Sequence, residues 1–421
     1  MLIEEIKKVC FVGAGTMGCY NSLLAGIAGY ETVLYDISEE ALAATSSVQE
    51  QLGEYLAAMG TFDKEQIRKG RDRIHLETTA EAAVENADLL SESVLEKLDL
   101  KRQVHGRFDV LCPPGTLLTT NTSTFMVSEI EDAVKRRDRF AAMHFHLMTP
   151  LVDVVAGPRT SPETLDVITR FVRSIACIPF KPAKESRGYV FNSLNSGWNF
   201  AATALAVEYS EKIEDIDRAW MSFHQVPVGP FAIMDLVGLN VYYDGIQDAL
   251  QRERDNRTFG IIVELLQPYM DRNELGIKTG KGIYSYPDAA YGRPDFLTAV
   301  QPRQDIYKVL VNGIIIMAIK LAESGVAGFE DIDRVWMINT QASSGPFGWL
   351  DAKGIDLFLS EVESEERALL YPEYDSRQVP GFLEPFVQEG KTGKKAGQGF
   401  YAYLDPAYED PGFLANPFQG K

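Results

Sequence analysis

Val9-Cys10-Phe11-Val12-Gly13-Ala14-Gly15-Thr16-Met17-Gly18 opens the stretch that decides the fold, and it closes with Glu31-Thr32-Val33-Leu34-Tyr35-Asp36. Val9 to Val12 is a short apolar run with the character of a buried parallel strand. The glycine-rich turn follows at once, and Tyr20 to Tyr30 then places Leu23, Leu24 and Ile27 on one helical face. A second strand pattern ends in an acid. The order is strand, G-x-G-x-x-G, helix, strand, carboxylate, which is the arrangement that binds a dinucleotide. Gly13 makes the tight turn, Gly15 lets backbone approach a pyrophosphate, and Gly18 lets helix and strand pack closely. The helix start at Thr16, Met17 and Gly18 offers unpaired N–H groups to phosphate oxygens. Asp36 is placed to accept hydrogen bonds from the adenosine ribose and to repel a 2′-phosphate. The expected cofactor is therefore NAD rather than NADP.

Outward from this core, the alternation of helix and strand patterns continues. Helices are expected over Glu39 to Met59, Asp63 to Arg71, Ala80 to Val84 and Asp99 to Val110. Strands are expected near Ile74, Asp88-Leu89-Leu90 and Leu117-Leu118-Thr119. This is an α/β Rossmann domain with an open parallel sheet, whose ligands gather at the carboxyl ends of the strands. The residues that fall there are polar: Glu92, Asn121, Ser123 and His144.

After about residue 186 the pattern becomes helical and repeats itself. Glu214-Asp215-Ile216-Asp217-Arg218-Ala219-Trp220-Met221 recurs 116 residues later as Glu330-Asp331-Ile332-Asp333-Arg334-Val335-Trp336-Met337. Gly229-Pro230-Phe231 recurs as Gly345-Pro346-Phe347, Asp235 as Asp351, and Gly276 to Tyr286 as Gly393 to Tyr403. Two units of this length imply a tandem all-α pair whose apolar faces cover each other, not a solenoid. The expected domains are 1–185, 186–295 and 296–421.

The full set of motifs resembles the L-3-hydroxyacyl-CoA dehydrogenase family. The matching pieces are the dinucleotide fingerprint, Ser91 to Glu96, Asn121-Thr122-Ser123-Thr124, Arg139 to Phe145, Pro150 to Val155, Gly188 to Asn192 and both Gly-Pro-Phe units. The resemblance implies a Rossmann domain followed by two 6-phosphogluconate dehydrogenase C-terminal-like domains. It implies an NAD-dependent oxidoreductase of fatty acid metabolism acting on an acyl-CoA. Carried over by position, His144 is the acid/base, Asp153 its carboxylate, Ser123 the hydroxyl on the substrate oxygen and Asn192 a positioning amide. Glu92 and Lys97 fall at the nicotinamide ribose, and Asn121 joins the cofactor set. The resemblance also implies that the duplicated half replaces a subunit contact, leaving a monomer with an internal pseudo-dimer, or a homodimer.

Three departures stand out. The family pairs its histidine with glutamate, where this chain has Asp153. The family continues His-Phe-Phe-Asn-Pro, whereas His144-Phe145-His146-Leu147-Met148-Thr149-Pro150 lacks the Asn-Pro and is about three residues shorter. Asn192 is followed by Ser193 where the family has arginine. Two other readings stay open on these grounds: a nucleotide-binding chain without turnover, and hydride chemistry on a non-thioester substrate.

Composition narrows the classes further. The net charge of −19 argues against a nucleic-acid partner. No window has the apolar length of a membrane span. The charged start (Glu4, Glu5, Lys7, Lys8) does not fit a signal peptide, and Cys10, Cys19, Cys112 and Cys177 have no framework spacing. A cytoplasmic protein with reduced thiols is expected. The histidines lack metal-ligand spacing, so no metal is expected.

Overall fold

Alternate residues of the N-terminal strands are buried on opposite faces of one sheet. Val9 and Phe11 belong to one core cluster, Cys10 and Val12 to the other. That double burial is why these strands read as continuous apolar runs rather than alternating ones. The computed structural model describes residues 3–252, 256–363, 370–371, 375 and 377–415. They divide into two units, one comprising the residues up to Val190 together with Ala415 and the other running Phe191–Leu414.

The first unit holds eight strands: β1 Lys8–Val12, β2 Glu31–Tyr35, β3 Ile74–Glu77, β4 Leu89–Glu92, β5 Leu117–Thr120, β6 Phe140–Phe145, β7 Leu151–Ala156 and β8 Ile178–Phe180. Their order is β3-β2-β1-β4-β5-β6-β7-β8. The chain reverses direction across the sheet between β1 and β4, the switch point where such sheets open a ligand crevice. The helices are α1 Thr16–Ala28, α2 Glu39–Ala58, α3 Lys64–Arg71, α4 Ala80–Ala83, α5 Leu98–Leu111, α6 Val127–Ile130 and α7 Pro162–Ser174. Their boundaries follow local chemistry: Ser38 caps α2, Asp63 and Gln66 form a capping box on α3, and Ser161 caps α7 ahead of Pro162.

The strands that the sequence marked, β1 to β5, pair in parallel as expected, and the reversal lies beyond them. β7 runs antiparallel to β6, with His144 opposite Asp153, while every other pair is parallel. The short connection from His146 to Pro150 leaves room only for a hairpin, so β7 must return beside β6. β8 and α7 lie beyond the segments that the periodic pattern marked.

The helix α8, Tyr189–Val207, leads into the second unit, which continues with α9 Ile213–His224, α10 Pro230–Val237, α11 Leu239–Arg252 and α12 Arg257–Asp271. The second copy comprises α13 Gln304–Glu323, α14 Phe329–Thr340, α15 Pro346–Lys353, α16 Ile355–Val362 and α17 Gln378–Gln388, with α18 Gly412–Ala415 after it. Equivalent residues make equivalent bonds in the two copies. Asp217 accepts from the N–H groups of Phe231 and Ala232 and from the Tyr284 hydroxyl, at 2.9, 3.0 and 2.8 Å. Asp333 accepts likewise from Phe347, Gly348 and Tyr401, at 2.8, 2.9 and 3.0 Å. Each aspartate thereby satisfies the open N–H groups of a helix that begins with proline.

The copies meet where α8 and α13 cross. A methyl group on Gly197 would lie 2.4 Å from the Gly313 carbonyl oxygen, and one on Gly313 the same distance from the Gly197 oxygen. Gly197 and Gly313 are themselves repeat equivalents, 116 residues apart, so the internal two-fold passes through this crossing. The expected boundary at 295/296 cuts through one copy. Arg218 donates to the Phe296 carbonyl at 2.8 Å and stacks on its ring, as Arg334 does with Phe413. Phe296 thus closes the first copy rather than opening the second.

Candidate active site

The glycine turn is built as a cradle. Gly13 has φ +107°, and a Cβ there would come within 2.6 Å of the Ser93 carbonyl oxygen. A Cβ on Gly18 would overlap the Gly13 carbonyl, whereas one on Gly15 would meet nothing within 4 Å. Gly13 and Gly18 are required by close backbone packing. Gly15 borders open space at the N-terminus of α1, where no side chain caps the helix. The N–H groups of Thr16, Met17 and Gly18 therefore await a partner of the phosphate kind. Asp36, at the end of β2, accepts from the Ala14 N–H and from the Ser38 N–H, both at 2.8 Å. It ties the glycine turn to the strand end, with lone pairs left over for ribose hydroxyls. These residues fit NAD.

Asp36→Ala accordingly has two expected effects. The preference for NAD(H) over NADP(H), at least about tenfold in kcat/KM, narrows, because the carboxylate no longer repels a 2′-phosphate. Affinity for NAD also falls, because the Ala14 tether is lost. Initial rates with both cofactors measure the first effect and fluorescence titration with NADH the second; equal efficiencies in the unaltered protein would refute the assignment.

The carboxyl ends of β4, β5 and β6 bring the second group of residues together. Asn121 follows β5, and its side-chain oxygen accepts from the Phe145 N–H at 2.8 Å. The turn beyond it is clamped by Glu96, which accepts from the Thr122 hydroxyl and from the N–H groups of Ser123 and Thr124 at 3.1 and 3.0 Å. Ser123 is held half-buried by this clamp. The sequence reading missed Glu96, although it lies inside the quoted Ser91 to Glu96 motif.

Glu92 departs from its expected place at the ribose. Its side chain is fully buried and accepts from Lys101 at 2.7 Å, Thr120 at 2.7 Å, the Val94 N–H at 2.8 Å and His105 at 3.2 Å. Burial pushes its carboxyl upward, but the Lys101 charge and the His105 contact outweigh that and hold it at about 2. As the last residue of a central strand it is enclosed between β1 and β5. It therefore organises the loop from within. Lys97, by contrast, is exposed at the head of α5.

His144 and Asp153 form a directly opposed cross-strand pair, and His144 Nδ1 lies 2.9 Å from Asp153 Oδ2. The shorter carboxylate reaches because antiparallel neighbours bring opposed Cβ atoms within about 5 Å. Burial, followed by the nearby His146, lowers the His144 pKa below its ordinary 6.5, against the pull of Asp153. Asp153 itself is held at about 2: burial would raise it, but His146 and His144 prevail. The Tyr189 ring stacks on His144 with centroids 4.9 Å apart. Asn192 lies one turn further along α8, in the second unit.

The sequence spacing carried no metal signal, yet His144, His146 and Asp153 form a group of three whose potential ligand atoms converge within 4.8 Å. The contacts of 2.9 and 2.8 Å to one Asp153 oxygen are hydrogen-bond separations. Two ligands on a tetrahedral zinc ion stand farther apart, at roughly 3.3 Å. The four cysteines are buried free thiols.

A dinucleotide cradle beside a carboxylate-oriented histidine defines an NAD-dependent oxidoreductase. The chain belongs to the 3-hydroxyacyl-CoA dehydrogenase family. Residues 8–184 match the 3-hydroxyacyl-CoA dehydrogenase NAD binding domain. The C-terminal domain of the same family matches twice, over 188–286 and 308–403. The 3-hydroxyadipyl-CoA dehydrogenase of Escherichia coli is 27% identical over 405 residues, covering 93% of this chain and 80% of the relative. The mitochondrial hydroxyacyl-coenzyme A dehydrogenase of Mus musculus is 30% identical over 295 residues, covering 67% of this chain and 91% of the relative. A solved 3-hydroxybutyryl-CoA dehydrogenase from Escherichia coli shares the fold, with a TM-score of 0.75 at 22% identity over 91% of this chain and 99% of that one. Among the described residues, no helix is long and apolar enough to cross a membrane.

Proposed function

We propose that this chain interconverts a short-chain 3-hydroxyacyl-CoA and its 3-keto form, with His144 Nε2 as the acid/base. The observation that carries this reading is the hydrogen bond from His144 Nδ1 to Asp153 Oδ2. Donation from Nδ1 fixes the tautomer and leaves Nε2 with its lone pair. Bound NAD supplies the hydride acceptor or donor. In oxidation, Nε2 takes the proton of the 3-hydroxyl as hydride leaves the same carbon, and Asp153 stabilises the imidazolium. In reduction, Nε2 returns the proton to the ketone oxygen. Ser123 is assigned to hydrogen-bond that oxygen and Asn192 to orient the acyl thioester, with Lys97 near the cofactor ribose. The short turn from His146 to Pro150 supports a preference for short acyl groups. The name of the 3-hydroxyadipyl-CoA relative, which matches across both helical copies, points the same way.

The test is absorbance at 340 nm with NADH and acetoacetyl-CoA, extended through thioesters of increasing length. Turnover is expected with four-carbon substrate and a steep decline toward sixteen carbons. Efficient turnover of the longest substrates, above about 10⁵ M⁻¹s⁻¹, would refute the short-chain assignment. The pH dependence has a definite sign. His144 must be neutral to accept a proton, and its pKa lies below 6.5. The oxidation rate therefore holds down to that value and falls only in more acid solution. In reduction, the rate declines as pH rises through the same midpoint.

A further inference from the structure

We infer that His146 is a positioning residue of the acid/base machinery: by occupying the same Asp153 oxygen as His144, it divides one carboxylate between two imidazoles and keeps His144 in its proton-accepting form. This rests on the reading of His144 as the acid/base. His144 and His146 are two residues apart along an extended segment, so their side chains leave the same face of the sheet. The ladder nearly continues to His146, whose N–H lies 3.4 Å from the Leu151 carbonyl oxygen. His146 Nε2 reaches Asp153 Oδ2 at 2.8 Å, no farther than His144 Nδ1 at 2.9 Å. The rings stand edge to face, centroids 4.5 Å apart, so both N–H groups point at one oxygen without stacking. The other oxygen, Asp153 Oδ1, is buried without a hydrogen-bond partner. The whole acceptor capacity of the carboxylate that is in use is therefore shared at Oδ2.

The consequence follows from elementary electrostatics. A carboxylate already neutralised in part by one N–H donor stabilises a second, charged imidazole less strongly. When His144 Nε2 takes a proton, the new positive charge is set against a carboxylate oxygen that His146 already occupies. That charge also forms 4.5 Å from the His146 ring, whose presence lowers the His144 pKa further. The other groups facing His144 are the Glu96 carboxylate, from the loop after β4, and the Tyr189 phenol, from the start of α8. Glu96 favours the protonated ring and Tyr189 is neutral, so His146 is the neighbour that opposes protonation.

The experiment compares the unaltered protein with His146→Phe and His146→Gln. Phenylalanine keeps the ring volume and burial but removes the donor; glutamine keeps an N–H donor without a titrating ring. The readouts are the His144 ring titration, by NMR of isotope-labelled histidine, and the acid limb of kcat/KM for oxidation of 3-hydroxybutyryl-CoA. His146→Phe is expected to raise the His144 midpoint by about one pH unit and move the acid limb with it. His146→Gln is expected to move it less than half as far. An unchanged midpoint in His146→Phe, or equal shifts in both variants, would overturn the inference. So would one equivalent of zinc in the purified protein. A ring midpoint that moves while the turnover limb stays fixed upholds the shared carboxylate and counts against His144 as the acid/base instead. Should His146→Phe not fold, the unaltered protein decides the matter alone: the two rings must titrate as a coupled pair, each reporting the other's protonation, and independent titration overturns the sharing.

Discussion

His144→Ala is expected to lower kcat by roughly 10² to 10⁴, the range that removal of a general acid/base produces, and to leave NADH affinity near its starting value. The two parts of the result separate because the cradle and the histidine use different elements. Gly13, Gly15, Gly18 and Asp36 are held by β1, α1 and β2, whereas His144 sits on β6 with its partner on β7. The variant should also fold. Removing the His144 ring does not strand a buried charge, because Asp153 Oδ2 retains its hydrogen bond from His146. That matters, since an unpaired buried carboxylate costs several kcal/mol and would confuse lost turnover with lost protein. Initial rates at 340 nm measure the first part and fluorescence titration with NADH the second. Turnover at the original rate would remove His144 from the mechanism and leave His146 as the imidazole to examine.

Gly313→Ala is expected to destabilise the protein by about 1 to 2 kcal/mol net, although helix propensity alone argues the opposite. Alanine in place of glycine within a helix such as α13 would by itself stabilise it by about 1 kcal/mol. The packing decides the sign. A Cβ at Gly313 falls 2.4 Å from the Gly197 carbonyl oxygen and 2.8 Å from the Ala201 Cβ, and neither the backbone nor a methyl group on a packed helix can yield cheaply. The two helices must separate, and the aromatic contacts that bridge the copies move with them. His224 and Trp349 are among these, with ring centroids 5.4 Å apart. Overpacking of this kind costs 1 to 3 kcal/mol or more, enough to overcome the propensity gain. Gly328→Ala is the control, because a Cβ there meets nothing within 4 Å and the residue lies outside a helix interior. Guanidinium unfolding of both variants settles the point: a Gly313→Ala midpoint at or above that of the unaltered protein would show that α8 and α13 do not bear on one another in solution. If they do, the two copies form an internal pseudo-dimer, and a chain cut after about residue 300 should aggregate through its uncovered apolar face.

What could be read directly from the chain is whatever depends on neighbours in sequence. The nucleotide cradle lies within thirty-six residues, and each of its parts acts through local backbone: a turn with positive φ, a helix N-terminus, an acid at the end of the next strand. The duplication was equally legible, because similar sequences bury similar faces; Asp217 and Asp333 hold their helices by the same bonds. Tertiary structure alone decided the rest. Whether β7 ran parallel or antiparallel to β6 was not encoded in its apolar pattern, yet that direction sets Asp153 opposite His144 and makes an aspartate long enough. The position of Glu92 at the end of a strand pattern placed it at the crevice. Only the pairing of β4 between β1 and β5, with Lys101 and His105 folded over it from α5, showed that its carboxylate faces inward. Glu96 and His146 gave no signal of their own, because their roles come from groups brought close by the fold: a turn 26 to 28 residues away for Glu96 and a facing strand for His146. Sequence periodicity reports which face of an element is buried; it carries no information about which charged partner waits on that face.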